Sequence, residues 1–214
     1  MGNLFSNKTK ELFLGPLHRN NPVTIQVLGI CSALAVTAQL EPAVIMSLSV
    51  IVVISLMNFI ISLLRKTIPG RIRMIVQLVI AAALVTVVSE LLKAFAYDVS
   101  VQLSIYVGLI VTNCILMGRL EAFAMANKPW DSFIDGVSNG IGYAWILVAV
   151  GFFRELLGMG TLFQFQIIPE SWYIVNGGFY ENNSLMILPP MALILVACII
   201  WVQRAGNESL QEKR

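Results

Sequence analysis

"AVIMSLSVIVVISLMNFIISLL", residues 43–64, carries no charged side chain and a single amide, Asn58. A helix needs roughly 20 such residues, rising about 1.5 Å each, to cross about 30 Å of hydrocarbon. The stretch therefore predicts a transmembrane helix. The whole chain agrees: of 214 residues 57% are hydrophobic and only 12% charged, with a mean hydropathy of +0.81, whereas a soluble domain is about one quarter charged. A net charge of +2 spread over scattered basic residues excludes a nucleic-acid-binding surface. The fold class predicted is an all-α integral membrane protein.

Working outward from residues 43–64, apolar stretches predict five more spans, at about 22–38, 74–92, 99–118, 137–157 and 185–202. The first opens on Pro22, and the fourth and fifth carry Gly and Asn. These are candidates for broken or tilted segments, with breaks expected at spans 1 and 4, which membranes tolerate only where protein buries the freed backbone groups. With the N-terminus in the cytoplasm, all 14 Lys and Arg residues except Lys93 and Arg154 fall on the cytoplasmic side. That asymmetry places both termini in the cytoplasm, along with the basic loop "RKTIPGRIR" (65–73), which reads as a topology anchor rather than a binding patch. An uncleaved first span is expected. The charged leader is long, and in "LGIC" the bulky Ile30 precedes Cys31, where a lipoprotein-type signal has a small residue.

Six spans divide into two groups of three, and an odd number of crossings requires any three-span repeat to be inverted in the membrane. The expected organisation is one membrane domain, 1–214, with a first repeat over about 20–97 and a second over about 99–203. Cys31 and Leu40-Glu41 in the first half have weak counterparts in Cys114 and Leu120-Glu121. Cys31 lies about nine residues beyond Pro22, or ~14 Å along a helix, close to mid-bilayer. Cys114 lies about five residues, or ~8 Å, before Arg119, on a segment crossing the other way. Inverted repeats with discontinuous helices place their sites between the halves near the midplane, so the two sulfurs are candidates to meet there. Trp172, Tyr173, Phe179 and Tyr180, in the long connection over about 158–184, read as interfacial anchors. Asn182-Asn183-Ser184 fits a glycosylation acceptor, a pattern without meaning in a bacterial chain.

The chain has three cysteines and one histidine, His18, which lies in the leader, so no internal His/Cys metal set is present. Cys198, among bulky apolar residues in "LVACIIWV", reads as packing. Cys31 and Cys114 have small and polar neighbours: Gly29, Ser32 and Ala33 beside one, Thr112, Asn113 and Gly118 beside the other. Three readings stand open. Small residues let membrane helices approach closely; a buried disulfide needs an oxidising route; or the thiolates hold an iron-sulfur centre. Such a centre typically needs four cysteines, two of which a partner would supply, and Ser32, Thr112 and Asn113 are then expected to donate hydrogen bonds toward sulfur. Arg119 with Glu121, and Arg154 with Glu155, are candidates for pairing across helices or for contacts with neighbouring chains. Glu90 and Asp98 are weaker candidates for ion uptake at the outer edge.

Three strings narrow the choice. "NNPVTIQVLGICSALAVT" (20–37), "LIVTNCILMGRLEAFAM" (109–125) and "GFFRELLGMGTLF" (151–163) resemble the membrane-subunit family shared by the sodium-translocating NADH:quinone reductases and the Rnf complexes. The resemblance runs from about residue 15 to 203, and "LGICSALAV" is more similar to the D branch of the sodium-translocating reductases than to the Rnf members. It implies six spans in an inverted repeat, in a bacterial inner membrane. It also implies that Cys31 and Cys114 are ligands of an intramembrane 2Fe-2S cluster completed by the homologous E subunit, within a six-subunit complex that couples electron transfer from NADH to ubiquinone to Na+ transport. The chain shows no GxGxxG unit, no phosphate loop and no string like the covalent flavin attachment sequence, so NADH and flavin are expected on other subunits. The alternatives are an Rnf-type subunit fed by ferredoxin, or a cofactor-free transporter or scaffold whose cysteines only pack.

Overall fold

The computed structural model describes residues 15, 21–95, 106–162, 165–166 and 184–205. Among them the regular structure is helical apart from a minimal antiparallel pair, β1 (Thr161–Leu162) and β2 (Phe165–Gln166). The helices are α1 (Ile30–Val36), α2 (Leu40–Leu64), α3 (Arg73–Phe95), α4 (Val107–Val111), α5 (Cys114–Arg119), α6 (Pro129–Gly158), α7 (Ser184–Ile187) and α8 (Pro189–Ala205). A π-helical turn over Leu120–Ala124 continues α5.

Among the described residues three helices, α2, α3 and α6, are long and apolar enough to cross a membrane; α8 is apolar but shorter. The first expected span is not one helix. Residues 22–26 turn, and α1 begins only after Gly29 in a left-handed conformation at φ +83°. The fourth is interrupted at Thr112-Asn113, between α4 and α5, and the sixth is interrupted between α7 and α8, where Leu188 precedes Pro189. Pro189 explains the last break, because the residue before a proline is pushed away from helical geometry. The fifth runs longer than expected because Pro129 occupies its first helical position, where a missing N–H costs nothing. The leader residues His18, Lys8, Lys10 and Arg19, and Asp98, Trp172, Tyr173, Phe179, Tyr180, Asn182 and Asn183, lie outside the described residues.

The centre is the antiparallel pair α2 and α6. Gly136 faces Ser55 and Asn58, while Gly140, one turn on, faces Ile51. A Cβ at Gly136 would stand 2.9 Å from the Ser55 Cα, and one at Gly140 would stand 3.1 Å from the Ile51 Cα. Small residues one turn apart thus bring the two backbones together, the usual means of packing helices in lipid, where hydrophobic burial supplies little drive. Met46, Val50, Ile54, Met57 and Ile61 of α2 share one core with Tyr143, Ile146, Leu147 and Val150 of α6. Ser47, Ser49 and Ser55 return their hydroxyls to carbonyls of their own helix, so these hydroxyls are satisfied without water. At the C-terminal end of α2, Ser62 and Arg65 both donate to the Asn127 carbonyl at 2.7 Å, fixing the turn that leads into α6. By contrast α3 is peripheral, with 17% of its most apolar window buried against 56% for α2.

Gly136→Ala is expected to lower stability by about 1–3 kcal/mol, the usual cost of overpacking. Gly108→Ala, where an added Cβ meets nothing within 4 Å, is expected to be neutral. Unfolding of the detergent-solubilised variants, followed by temperature or denaturant, checks the pair.

Candidate thiol pair at the meeting of two short helices

Cys31 and Cys114, far apart in sequence, are brought together with their sulfurs 3.9 Å apart; both are free and exposed on the surface of the chain. Each sits in the first turn of a short helix, α1 or α5. The helices start where they do for local reasons. Gly29 adopts the left-handed region that a side chain would resist, and a Cβ there would press to 2.9 Å from the Tyr143 ring. Asn113 is extended, and its side-chain oxygen accepts from the Ile115 N–H, capping α5.

The residues flanking the two cysteines form one buried network. The Tyr143 hydroxyl, on α6, donates to the Ser32 Oγ at 2.6 Å, and Ser32 in turn donates to the Gly29 carbonyl at 2.8 Å. The Asn113 Nδ2 reaches both the Ser32 Oγ and the Tyr143 hydroxyl at 3.4 Å. Thr112 donates to the Gly108 carbonyl at 3.1 Å. The expected donation from Ser32, Thr112 and Asn113 to sulfur is therefore corrected: all three side chains bond to backbone or to one another. The Cys114 sulfur is within hydrogen-bonding reach of the Cys31 sulfur. Cys198 lies elsewhere, lining an apolar cavity of about 550 Å³ with Trp145, Phe153 and Leu195. Among the described residues no group of three or more His, Cys, Asp and Glu side chains is placed to hold a metal ion. The thiol pair can supply two ligands.

The amino-acid sequence matches a known group of proteins over most of its length. A family model described as "Rnf-Nqr subunit, membrane protein" matches residues 9–200. The chain belongs to the Rnf-Nqr family. It is 54% identical over 199 residues, 93% of each chain, to the D subunit of the Na(+)-translocating NADH-quinone reductase of Psychromonas ingrahamii. Over 210 residues, 97% of this chain and 100% of the relative, it is 51% identical to the protein of the same name in Haemophilus influenzae strain PittGG. These relatives are named as subunits of an oxidoreductase, so this Rnf-Nqr chain is similar to parts of an enzyme complex.

The charged residues Arg119, Glu121, Arg154 and Glu155 of the Rnf-Nqr chain find their partners on other elements of the fold. Arg119 grips the buried Asp135 through two hydrogen bonds and lies 5.4 Å from the Phe123 ring. Glu121 pairs with Arg73 instead. Two residues apart on a helix do not face one another, which is why Arg119 and Glu121 turn to different partners. Arg154 does not lie in a connection; it is 1% exposed within α6. Its guanidinium donates to the Met186 and Ile187 carbonyls of α7, to the Leu34 carbonyl, and to the Thr37 Oγ1 at 2.6 Å. A cation at the ends of two short helices meets their exposed carbonyls and negative dipole ends. Glu155 accepts the first free N–H of α2, from Leu40, at 2.5 Å. Glu90 pairs with Lys93 on the surface.

Tyr143 does not stand out in the sequence, where it reads as one more aromatic in an apolar helix. The available signal is "GIGYA" (140–144), a phenol beside glycines that let another backbone come close. Arg154→Met is expected to cost about 3 kcal/mol or more, since it leaves several buried carbonyls without a donor. Arg154→Lys should recover only part, because one ammonium cannot reproduce the planar fork. Thermal unfolding in detergent, with limited proteolysis of the α1 and α7 segments, measures both.

Proposed function

We propose that this chain is an integral membrane subunit of a sodium-translocating NADH:quinone reductase, in which Cys31 and Cys114 hold one side of an intramembrane 2Fe-2S cluster. The observation that carries the reading is the 3.9 Å separation of two free sulfurs on an exposed face. With thiolate-metal bonds of about 2.3 Å and tetrahedral angles, two thiolates on one metal stand about 3.8 Å apart. The pair therefore fits half of a four-cysteine ligand set. The other half belongs to a partner, the homologous E subunit of the complex, seated over the exposed thiols. When bound, such a cluster supplies one-electron transfer between carriers on neighbouring subunits.

The chain's own residues have definable tasks in this scheme. Cys31 and Cys114, as thiolates, would hold the cluster. NADH, flavin and ubiquinone are handled by other subunits, and Na+ transport is a property of the whole complex. The relatives' names favour this reading over an Rnf-type subunit fed by ferredoxin.

The same proposal includes the membrane arrangement: six spans in a bacterial inner membrane, one domain, both termini cytoplasmic, as two inverted repeats over about 20–97 and 99–203. Its support is the order of elements. A short cysteine-bearing helix is followed by a long central helix and a more peripheral one in each half: α1, α2, α3 and then α5, α6, α8.

Cys31→Ala and Cys114→Ala are each expected to abolish the iron bound by the purified complex at this site and its paramagnetic signal on reduction, with the double variant no worse than either single. Iron content and electron transfer unchanged in both would sink the ligand assignment. A reporter fused after Arg214 is expected on the cytoplasmic side, and a periplasmic signal would overturn the orientation.

A further inference from the structure

We infer that Tyr143 is a positioning residue that sets the distance between the Cys31 and Cys114 sulfurs. Ser32 directly follows Cys31, and Asn113 directly precedes Cys114. The side chain that bridges those two neighbours from outside their own helices is the Tyr143 phenol, which donates to Ser32 and accepts from Asn113. Its ring closes the site from below, against Gly29. Tyr143 is fully buried, and α6 holds it through the contact of Gly136 and Gly140 with α2. The phenol therefore ties both short helices, beside their cysteines, to the central helix pair of the fold. Each short helix has little cooperative stability of its own at this length, so their relative placement depends on such ties.

The consequence for the thiol pair is specific. Without the hydroxyl, the Asn113 amide keeps the Ser32 oxygen, and Ser32 keeps its bond to Gly29, but neither is tied to α6. The ring still fills its space, so the loss falls on the register between α1 and α5 rather than on packing. The relevance to electron transfer rests on the reading of Cys31 and Cys114 as ligands; the geometric claim does not.

The test uses the full chain in membranes with Cys198→Ala, so that Cys31 and Cys114 are the remaining thiols. The rate at which diamide, a two-electron thiol oxidant, converts the pair to a disulfide reports how often the sulfurs meet. Maleimide labelling of each thiol alone reports general loosening. Tyr143→Phe and Ser32→Ala are each expected to slow pair capture roughly five- to tenfold, the worth of a lost buried hydrogen bond, with single-thiol labelling unchanged. The double variant should be no slower than the slower single, because both break one network. Capture at the parental rate in Tyr143→Phe, independent effects that multiply, or equal changes in single-thiol labelling would each overturn the proposal. Should Tyr143→Phe fail to fold, Ser32→Ala and Asn113→Ala carry the same comparison. Because the assay needs no metal, its failure is separate from failure of the iron measurement on the cysteine variants.

Discussion

A backbone that leaves helical geometry among apolar helices must find its hydrogen bonds inside the protein, and here α6 provides them. The segment from Asn21 to Leu40 is fastened to α6 in sequence order. The Asn21 amide donates to the Gly142 carbonyl at 3.1 Å, Tyr143 holds Ser32, Arg154 holds Leu34 and Thr37, and Glu155 receives Leu40. Asn21 also folds its side-chain oxygen back onto the Val23 and Thr24 N–H groups, starting the turn without an orphaned donor. The irregular stretches on this side of the fold are thus matched by polar side chains and a carbonyl of one helix. Unsatisfied groups there cost several kcal/mol each in hydrocarbon, so the ties decide which broken conformation is allowed at all.

α6 can do this because the face that carries Tyr143 and Arg154 is also the face locked against α2: seven residues from Gly136 to Tyr143 and eighteen to Arg154 are close to whole turns of the helix. The glycine contacts with α2 leave no room for either helix to rotate, and rotation by one residue would swing Tyr143, Arg154 and Glu155 away from their partners by about 100°. Close packing and polar satisfaction are therefore not separate features. Small residues at Gly136 and Gly140 fix the rotation, and the rotation aims the polar residues. A change in the seam is felt at the thiols even though Gly136 is roughly two turns from Tyr143.

How much of this is legible in the sequence varies with the kind of signal. The α2 helix is readable at once, because unbroken apolar length has one physical meaning. Pro22 and Thr112-Asn113 signal the interruptions of the first and fourth stretches, and the inverted repeat, which brings Cys31 and Cys114 in from opposite sides, signals their approach. The partners of Arg119, Glu121 and Arg154 are not readable. Arg154 bonds to carbonyls, which every residue carries, and nothing in the local sequence says that α1 and α7 end beside it. Ser32 and Asn113 stand out as polar neighbours of sulfur, but their direction depends on Tyr143, whose hydroxyl is indistinguishable in sequence from that of an interfacial tyrosine.

The charges sort the same way. Arg119 with Asp135 ties the end of α5 to α6, and Arg73 with Glu121 ties the start of α3 to the turn after α5. The first pair is held inside, with Asp135 further bound by the Asn139 amide at 3.0 Å; the second is partly exposed. A buried pair strongly penalises loss of one partner, while an exposed pair adds little. The second half of the chain is thus fixed at Arg119, at the far end of the helix that carries Cys114, as the first half is fixed at Arg154, beyond the helix that carries Cys31. Both thiols sit on short helices held at their far ends by an arginine and joined at their near ends by a phenol. Such an arrangement fixes two sulfurs in space while leaving their outer face free, as the proposed completion of the site by another subunit requires.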